Sequence, residues 1–241
     1  MWERSDILQI SDREFTPEEF QVFLRQQKAR VINSYDEIII RGYCYVRFLI
    51  MNMRIIEEIE QYIPRRGRIL DIGCGFGLFS LLFASCSERR QFISFDLNSK
   101  RIAIAKNVRS KLGLTEQIDF RTCDLLNYGF EEEVDAIFVL DLLHHIPQAE
   151  VPRILRSFHD VLPEGGTLII KDVTTKPWFK MVFTWLLDKL MYYNAPLHYY
   201  EKSDMISLVK EQGFDVKFHH MIDILPYPHV LYICRKTGGN S

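Results

Sequence analysis

The sequence predicts an α/β protein, a mostly parallel sheet with helices on both faces, and three observations carry that expectation. Apolar stretches of strand length alternate with helical stretches between residues 68 and 172, a rhythm that folds as βαβ units. The strands are rich in Ile, Phe, Val and Leu without strict polar alternation, as expected when helices cover both sheet faces. The first of them passes straight into a glycine turn, Arg68-Ile69-Leu70-Asp71-Ile72-Gly73-Cys74-Gly75-Phe76-Gly77.

Thr16-Pro17-Glu18-Glu19 starts a helix with Thr as N-cap, Pro at the first helical position and Glu three residues after the cap. That helix should run to Val31. A second helical stretch is predicted over 44–62, where Phe48, Met51, Ile55 and Ile59 make one apolar face. Residues 1–62 thus read as a helical cap on a core of residues 63–241. In the core the expected order is strand 68–72, helix 77–86, strand 91–96, helix 99–112, strand 117–122, strand 134–140, helix 149–161 and strand 166–172. After a helix over 203–212, the segments 214–224 and 230–235, separated by Pro226 and Pro228, suit two adjacent antiparallel strands.

At 241 residues with 47% apolar content, the chain is long enough for one substantial core, and no repeat or Pro/Gly-rich linker divides it. A net charge of −2, with the basic pairs Arg65-Arg66 and Arg89-Arg90 placed at turns rather than in a stripe, argues against nucleic acid as substrate. Five scattered cysteines without C-x-x-C spacing argue against a disulfide framework and against a metal site, and fit a reduced cytoplasm. Residues 1–12 carry charges throughout, so no secretory signal is read there.

The glycine turn reads as a nucleotide-cofactor loop, because glycines allow positive φ and close approach of a ligand to bare backbone. The following helix, from Leu78, should aim unpaired N–H groups at a bound anion. A dinucleotide fingerprint would be G-x-G-x-x-G, but here the glycines alternate and Leu78 holds the third glycine's place. Asp71 at the strand end would repel a pyrophosphate. It suits a ligand that carries an ammonium and a sulfonium, which points to S-adenosyl-L-methionine.

With these residues the chain resembles the class I S-adenosylmethionine-dependent methyltransferases of small-molecule type, whose first motif is a strand, an acidic residue, one spacer and G-x-G-x-G. Further family positions follow in order at Phe92-Ile93-Ser94-Phe95-Asp96, Cys123-Asp124-Leu125-Leu126, Asp141-Leu142-Leu143-His144-His145-Ile146-Pro147 and Leu162-Pro163-Glu164-Gly165-Gly166. The resemblance covers residues 65–175. It implies a Rossmann-like seven-stranded mixed sheet of order 3-2-1-4-5-7-6, the last strand antiparallel, with N-terminal helices over the cofactor cleft.

It also implies the cofactor residues. Asp71 with the backbone of Gly73, Gly75 and Gly77 would hold the methionyl end, with Cys74 a small spacer. Asp96 would accept the ribose hydroxyls. Asp124 would accept from the adenine amino group, and Leu97 and Leu125 would sandwich the ring. Asp96 and Asp124 have a plainer alternative as caps of a helix and a turn. Asp141 opens the stretch facing donor and acceptor. Within it His145 or His144 is the candidate base for an acceptor that arrives protonated, or else the pair simply ends the strand.

Two regions are expected to shape the acceptor pocket. Tyr35, Arg41, Tyr43 and Arg47 place hydroxyl and guanidinium donors on the lid, an Arg there being suited to fork onto a carboxylate or to be structurally paired. The apolar, aromatic insert at 174–202 includes Trp178, Phe179, Trp185, Tyr192, Tyr193, His198, Tyr199 and Tyr200. Lys180, Asp188 and Lys189 interrupt it, so its 177–193 stretch is read as a lid, a dimer surface, an acceptor channel or a helix on a membrane surface rather than as a transmembrane span. The expected activity is methyl transfer to O or C of a small, apolar or lipid-like acceptor. The rivals weighed are a nicotinamide-dependent oxidoreductase and a partner subunit that binds S-adenosylmethionine without turnover. The oligomeric state is not legible.

Overall fold

The computed structural model describes residues 15–130, 132–175, 197–221 and 228–238. Trp178, most of the aromatic insert and the end of the 214–224 segment lie outside the described residues. The strands order as β3-β2-β1-β4-β5-β7-β6 in one seven-stranded sheet, as the resemblance implies. The chain divides into two compact units, Met1–Cys123 and Asp124–Ser241.

The first unit opens with α1 (Pro17–Asn33), whose Thr16 capping box is complete: the Thr16 hydroxyl accepts from the Glu19 amide and the Glu19 carboxylate accepts from the Thr16 amide. A tight turn leads into α2 (Ile38–Ile50), and α3 (Met53–Glu60) follows. The single helix expected over 44–62 is therefore two. Asn52 divides them, because its side chain accepts from the amides of Arg54 and Ile55 and so caps a new helix. Then come β1 (Gly67–Ile72), α4 (Leu78–Ala84), β2 (Arg90–Asp96), α5 (Ser99–Leu112) and β3 (Ile118–Thr122). Both β1 and β3 pair parallel to β2.

Arg90 is not a surface turn residue as its pairing with Arg89 in sequence suggested. It is buried at the start of β2, ion-paired to the equally buried Glu60 at 2.8 Å and donating to the carbonyls of Ile63, Pro64 and Phe83. A buried charge is tolerated only when paired and hydrogen-bonded in this way. The guanidinium thus ties α3 and its exit loop to the sheet.

The second unit holds β4 (Ala136–Leu140), a short 3₁₀ turn at Leu143–His145, α6 (Val151–Val161), β5 (Thr167–Val173), α7 (Lys202–Glu211), β6 (Phe214–His220) and β7 (His229–Lys236). Strands β4 and β5 pair parallel, whereas β7 runs antiparallel to both β5 and β6. All of β4 is buried, as expected for a strand without polar alternation.

Candidate active site

In the first unit, β1 delivers Asp71 to the sheet interior and the loop 73–77 turns back over it. Asp71 is buried; the Ser80 hydroxyl of α4 donates to it, and Ser80 in turn lies 2.8 Å from the Ser94 hydroxyl of β2. Burial pushes the Asp71 carboxyl up to about 7, with the Ser80 bond opposing the shift and the charge of Asp96 adding to it. This carboxylate is therefore costly to ionise unless a cation lies near. The two serines were not singled out in the sequence, because a small polar residue on a buried helix or strand has no local signature.

Gly73, Gly75 and Gly77 all take positive φ, at 79°, 57° and 76°. The amides of Gly73 and Cys74 both donate to the Phe95 carbonyl at 2.8 Å, that of Gly77 donates to Cys74, and that of Gly75 donates to the Asp96 carboxylate at 2.8 Å. All three glycine amides are thus spent within the chain. Those amides hold the loop in shape, and what the loop presents at Gly75 is bare backbone, with open space where a Cβ would stand. Gly77 serves packing instead, since a Cβ there would meet the Phe120 ring at 2.5 Å. The helix that follows, α4, is short and all seven of its residues are buried.

Asp96 ends β2 as expected. Its second oxygen accepts from the Asn98 amide, and Asn98 caps α5. The plainer capping duty thus falls to Asn98, while Asp96 joins the loop to the strand end. A carboxylate has about four acceptor positions, so two amide donors leave room for ligand hydroxyls. Leu97 is 71% exposed beside it. Cys74 is buried, and burial raises its thiol well above the usual range, which suits a spacer and not a nucleophile.

Tyr35 has a different part from the one expected on a lid. It is fully buried, and its hydroxyl donates to the Phe76 carbonyl at 2.9 Å. Arg41 donates to the Tyr35 carbonyl at 2.7 Å. Tyr43 packs edge-on against the Phe76 ring at 5.3 Å, and Arg101 lies over the same ring. Arg47 sits over the Phe79 ring. The α1–α2 hairpin thus grips the glycine loop, and these residues form its support.

In the second unit, Asp124 is exposed and closes its own turn, accepting from the Leu126 amide at 3.0 Å and the Asn127 side chain at 2.7 Å, with Leu125 half-buried between them. The turn-capping alternative describes this geometry. Asp141 follows β4 with a φ of 54°, the one positive value among the described non-glycine residues. Its carboxylate meets the buried Lys171 ammonium at 2.5 Å. His144 is also buried: its Nδ1 lies 2.5 Å from Asp172 Oδ1, and its amide donates to Asp172 Oδ2 at 3.2 Å. The His145 ring packs against His144 at 4.1 Å, and Tyr199 stacks on His144 at 5.7 Å. Lys171 and Asp172 went unnoticed in the sequence, where Ile-Ile-Lys-Asp-Val reads only as the end of a strand.

Comparison with known proteins agrees with this arrangement. Residues 69–166 match the methyltransferase domain family. The chain is 28% identical over 116 residues to a ubiquinone biosynthesis O-methyltransferase of Xanthomonas axonopodis pv. citri, covering 47% of this chain and 46% of that one. It is 30% identical over 114 residues to the sterol 24-C-methyltransferase ERG6 of Saccharomyces cerevisiae, covering 46% of this chain and 28% of that one. The match thus takes in less than half the length of either relative. Among solved structures, an O-methyltransferase family protein from Burkholderia thailandensis has the same fold, with a TM-score of 0.67 at 14% identity over 92% of this chain and 71% of that one. The match in sequence is thus to a methyltransferase domain over residues 69–166, and the likeness in structure is one of fold.

Proposed function

We propose that the protein binds S-adenosylmethionine at the 71–77 loop and transfers its methyl group to an oxygen or carbon of a small, lipid-like acceptor. The observation that carries the reading is the loop itself: its glycine amides are committed to the chain, and the charge beneath them is a buried carboxylate. A diphosphate needs amide donors and is repelled by that charge, whereas an adenosyl sulfonium with an ammonium is attracted by it. The first unit's part is to bind. Asp71 supplies the negative field, Gly75 the open approach, and Asp96 the acceptor for ribose hydroxyls.

S-adenosylmethionine supplies an electrophilic methyl carbon on its sulfonium. What remains for the protein is to position the acceptor, where effective molarities of about 10⁵ M or more are available, and to take a proton from a hydroxyl acceptor. His144, held at ring and backbone by Asp172, is the residue we assign to the proton, with His145 and Tyr199 packed on it. Of the two histidines the sequence offers, this assignment takes His144. The relatives named for ubiquinone biosynthesis and for sterol support a lipid-like acceptor.

The test is calorimetry with S-adenosylhomocysteine and with a reduced nicotinamide dinucleotide, followed by radiolabelled methyl transfer to prenylated phenols, quinols and sterols. Binding of S-adenosylhomocysteine that is lost in Asp96→Ala supports the reading. Binding of the dinucleotide alone would overturn it.

A further inference from the structure

One side of α2 grips the glycine loop, and the other is apolar and bare. Ile38, Ile39, Tyr45, Val46 and Leu49 are exposed, the first three at 81%, 82% and 65%. At 3.6 residues per turn, positions 38, 42, 45 and 49 lie in one stripe, with 39 and 46 along its edge. No charged side chain falls within it. Such a contiguous apolar face on a soluble surface marks a contact site.

Gly42 stands at the centre of that stripe, both along the helix and around it. Nothing among the described residues accounts for it. The backbone there is helical without positive φ, and a Cβ at Gly42 would meet nothing within 4 Å. Glycine inside a helix costs about 1 kcal/mol relative to alanine, and what it offers in return is close approach from outside. A lipid surface has no use for a notch one residue wide, but a second helix does.

We propose that the outer face of α2 is the contact surface for a second copy of this chain, packed as an antiparallel helix pair about a two-fold axis. The stripe is self-complementary in that geometry. With the axis passing between positions 43 and 44, the Tyr45 ring of each copy lies over Gly42 of the other, and Ile38 lies against Leu49: one knob and one hole, three residues apart on the same face. An isologous contact requires this kind of match. The ends agree in charge as well. Glu37 is exposed at the start of α2 and Arg54 is exposed just past its end, so antiparallel pairing brings acid toward base at both ends of the contact. The inference does not draw on the methyl-transfer reading.

Light scattering after size exclusion, run at loading concentrations from about 1 to 100 μM, tests it, because interfaces of modest area dissociate across such a range. The wild-type chain should approach twice 28.5 kDa at the upper end. Val46→Glu puts a charge in the stripe and Gly42→Leu fills the notch. Gly42 is exposed with open space where a Cβ would stand and Val46 is 49% exposed, so each variant should stay folded at the single-chain mass, with Gly42→Leu melting no lower than the wild type. A wild-type chain that remains at 28.5 kDa throughout overturns the proposal. So does a dimer that survives both substitutions, or flotation of a monomeric wild type with neutral phosphatidylcholine vesicles that Val46→Glu abolishes.

Discussion

The Tyr35 hydroxyl donates to the Phe76 carbonyl at 2.9 Å across 41 residues of sequence, so the turn between the first two helices is fastened to the crown of the glycine loop. The turn is fastened on its other side too. The Lys111 ammonium and the Asn107 side chain, both on α5, meet Asp36, and Arg30 donates to the Leu112 carbonyl. The loop is therefore held from outside the sheet as well as from within it.

Tyr35→Phe keeps the buried ring and deletes only the hydroxyl. One buried hydrogen bond is worth about 1 kcal/mol, so we expect S-adenosylhomocysteine to bind about 5-fold more weakly with only a modest fall in melting temperature. Calorimetry beside a thermal melt separates the two effects.

The three loop glycines should not respond alike. At Gly77 an alanine combines left-handed backbone with a Cβ 2.5 Å from the Phe120 ring and 3.1 Å from Ala105, costing the chain about 2–4 kcal/mol. At Gly75 the same change meets open space and costs about 1–2 kcal/mol for the backbone alone. Gly77→Ala should lower the denaturation midpoint the more, while Gly75→Ala, still folded, should lose ligand affinity.

Asp71 makes stability and ligand binding respond to pH in opposite senses. Its folded-state pKa is raised to about 7 from an ordinary 3.8, so the fold prefers the protonated acid. That preference is fully present below the ordinary value and is lost as pH rises through 7. A cationic ligand prefers the ionised form. Acidifying from pH 8 to 5 should therefore raise the melting temperature of the ligand-free chain relative to Asp71→Asn, and weaken S-adenosylmethionine binding. Paired melts and titrations of the two proteins across that range read both slopes.

Asp172 and His144 should act as one unit in turnover. Asp172→Asn and His144→Gln are each expected to lower kcat by about 10²-fold or more with a hydroxyl acceptor. Groups that work together are not additive, so the double variant should be no slower than the slower single one. The dissociation constant for S-adenosylhomocysteine should stay unchanged, since neither residue is among those we assign to hold the donor. A parallel loss of donor binding would reduce the pair to a structural role.

Much of this was legible because it is local. The strand-to-glycine turn at 68–77, the Thr16 cap and the acid ending β2 each advertise themselves within ten residues. The break at Asn52 was hidden because Phe48, Met51, Ile55 and Ile59 keep helical spacing across it, so apolar periodicity outvoted a capping residue whose signal was present. Tyr35, Ser80, Lys171 and Asp172 could not be assigned because their partners lie 9 to 41 residues away. The partners of the glycine amides were illegible for a related reason: the Phe95 carbonyl and the Asp96 carboxylate that take those of Gly73 and Gly75 belong to β2, a separate strand.

Adjacent residues on β5 serve two different clients, Lys171 the acid after β4 and Asp172 the histidine of the following turn. Sliding β5 by one position so that Asp172 took the place of Lys171 would set it against the part-buried Asp141, acid facing acid, and leave the imidazole beside the aliphatic Val173. Sheets built from uninterrupted apolar strands have little else to resist misalignment. These two charges therefore work as an alignment key, rejecting the wrong pairing before any chemistry is asked of them.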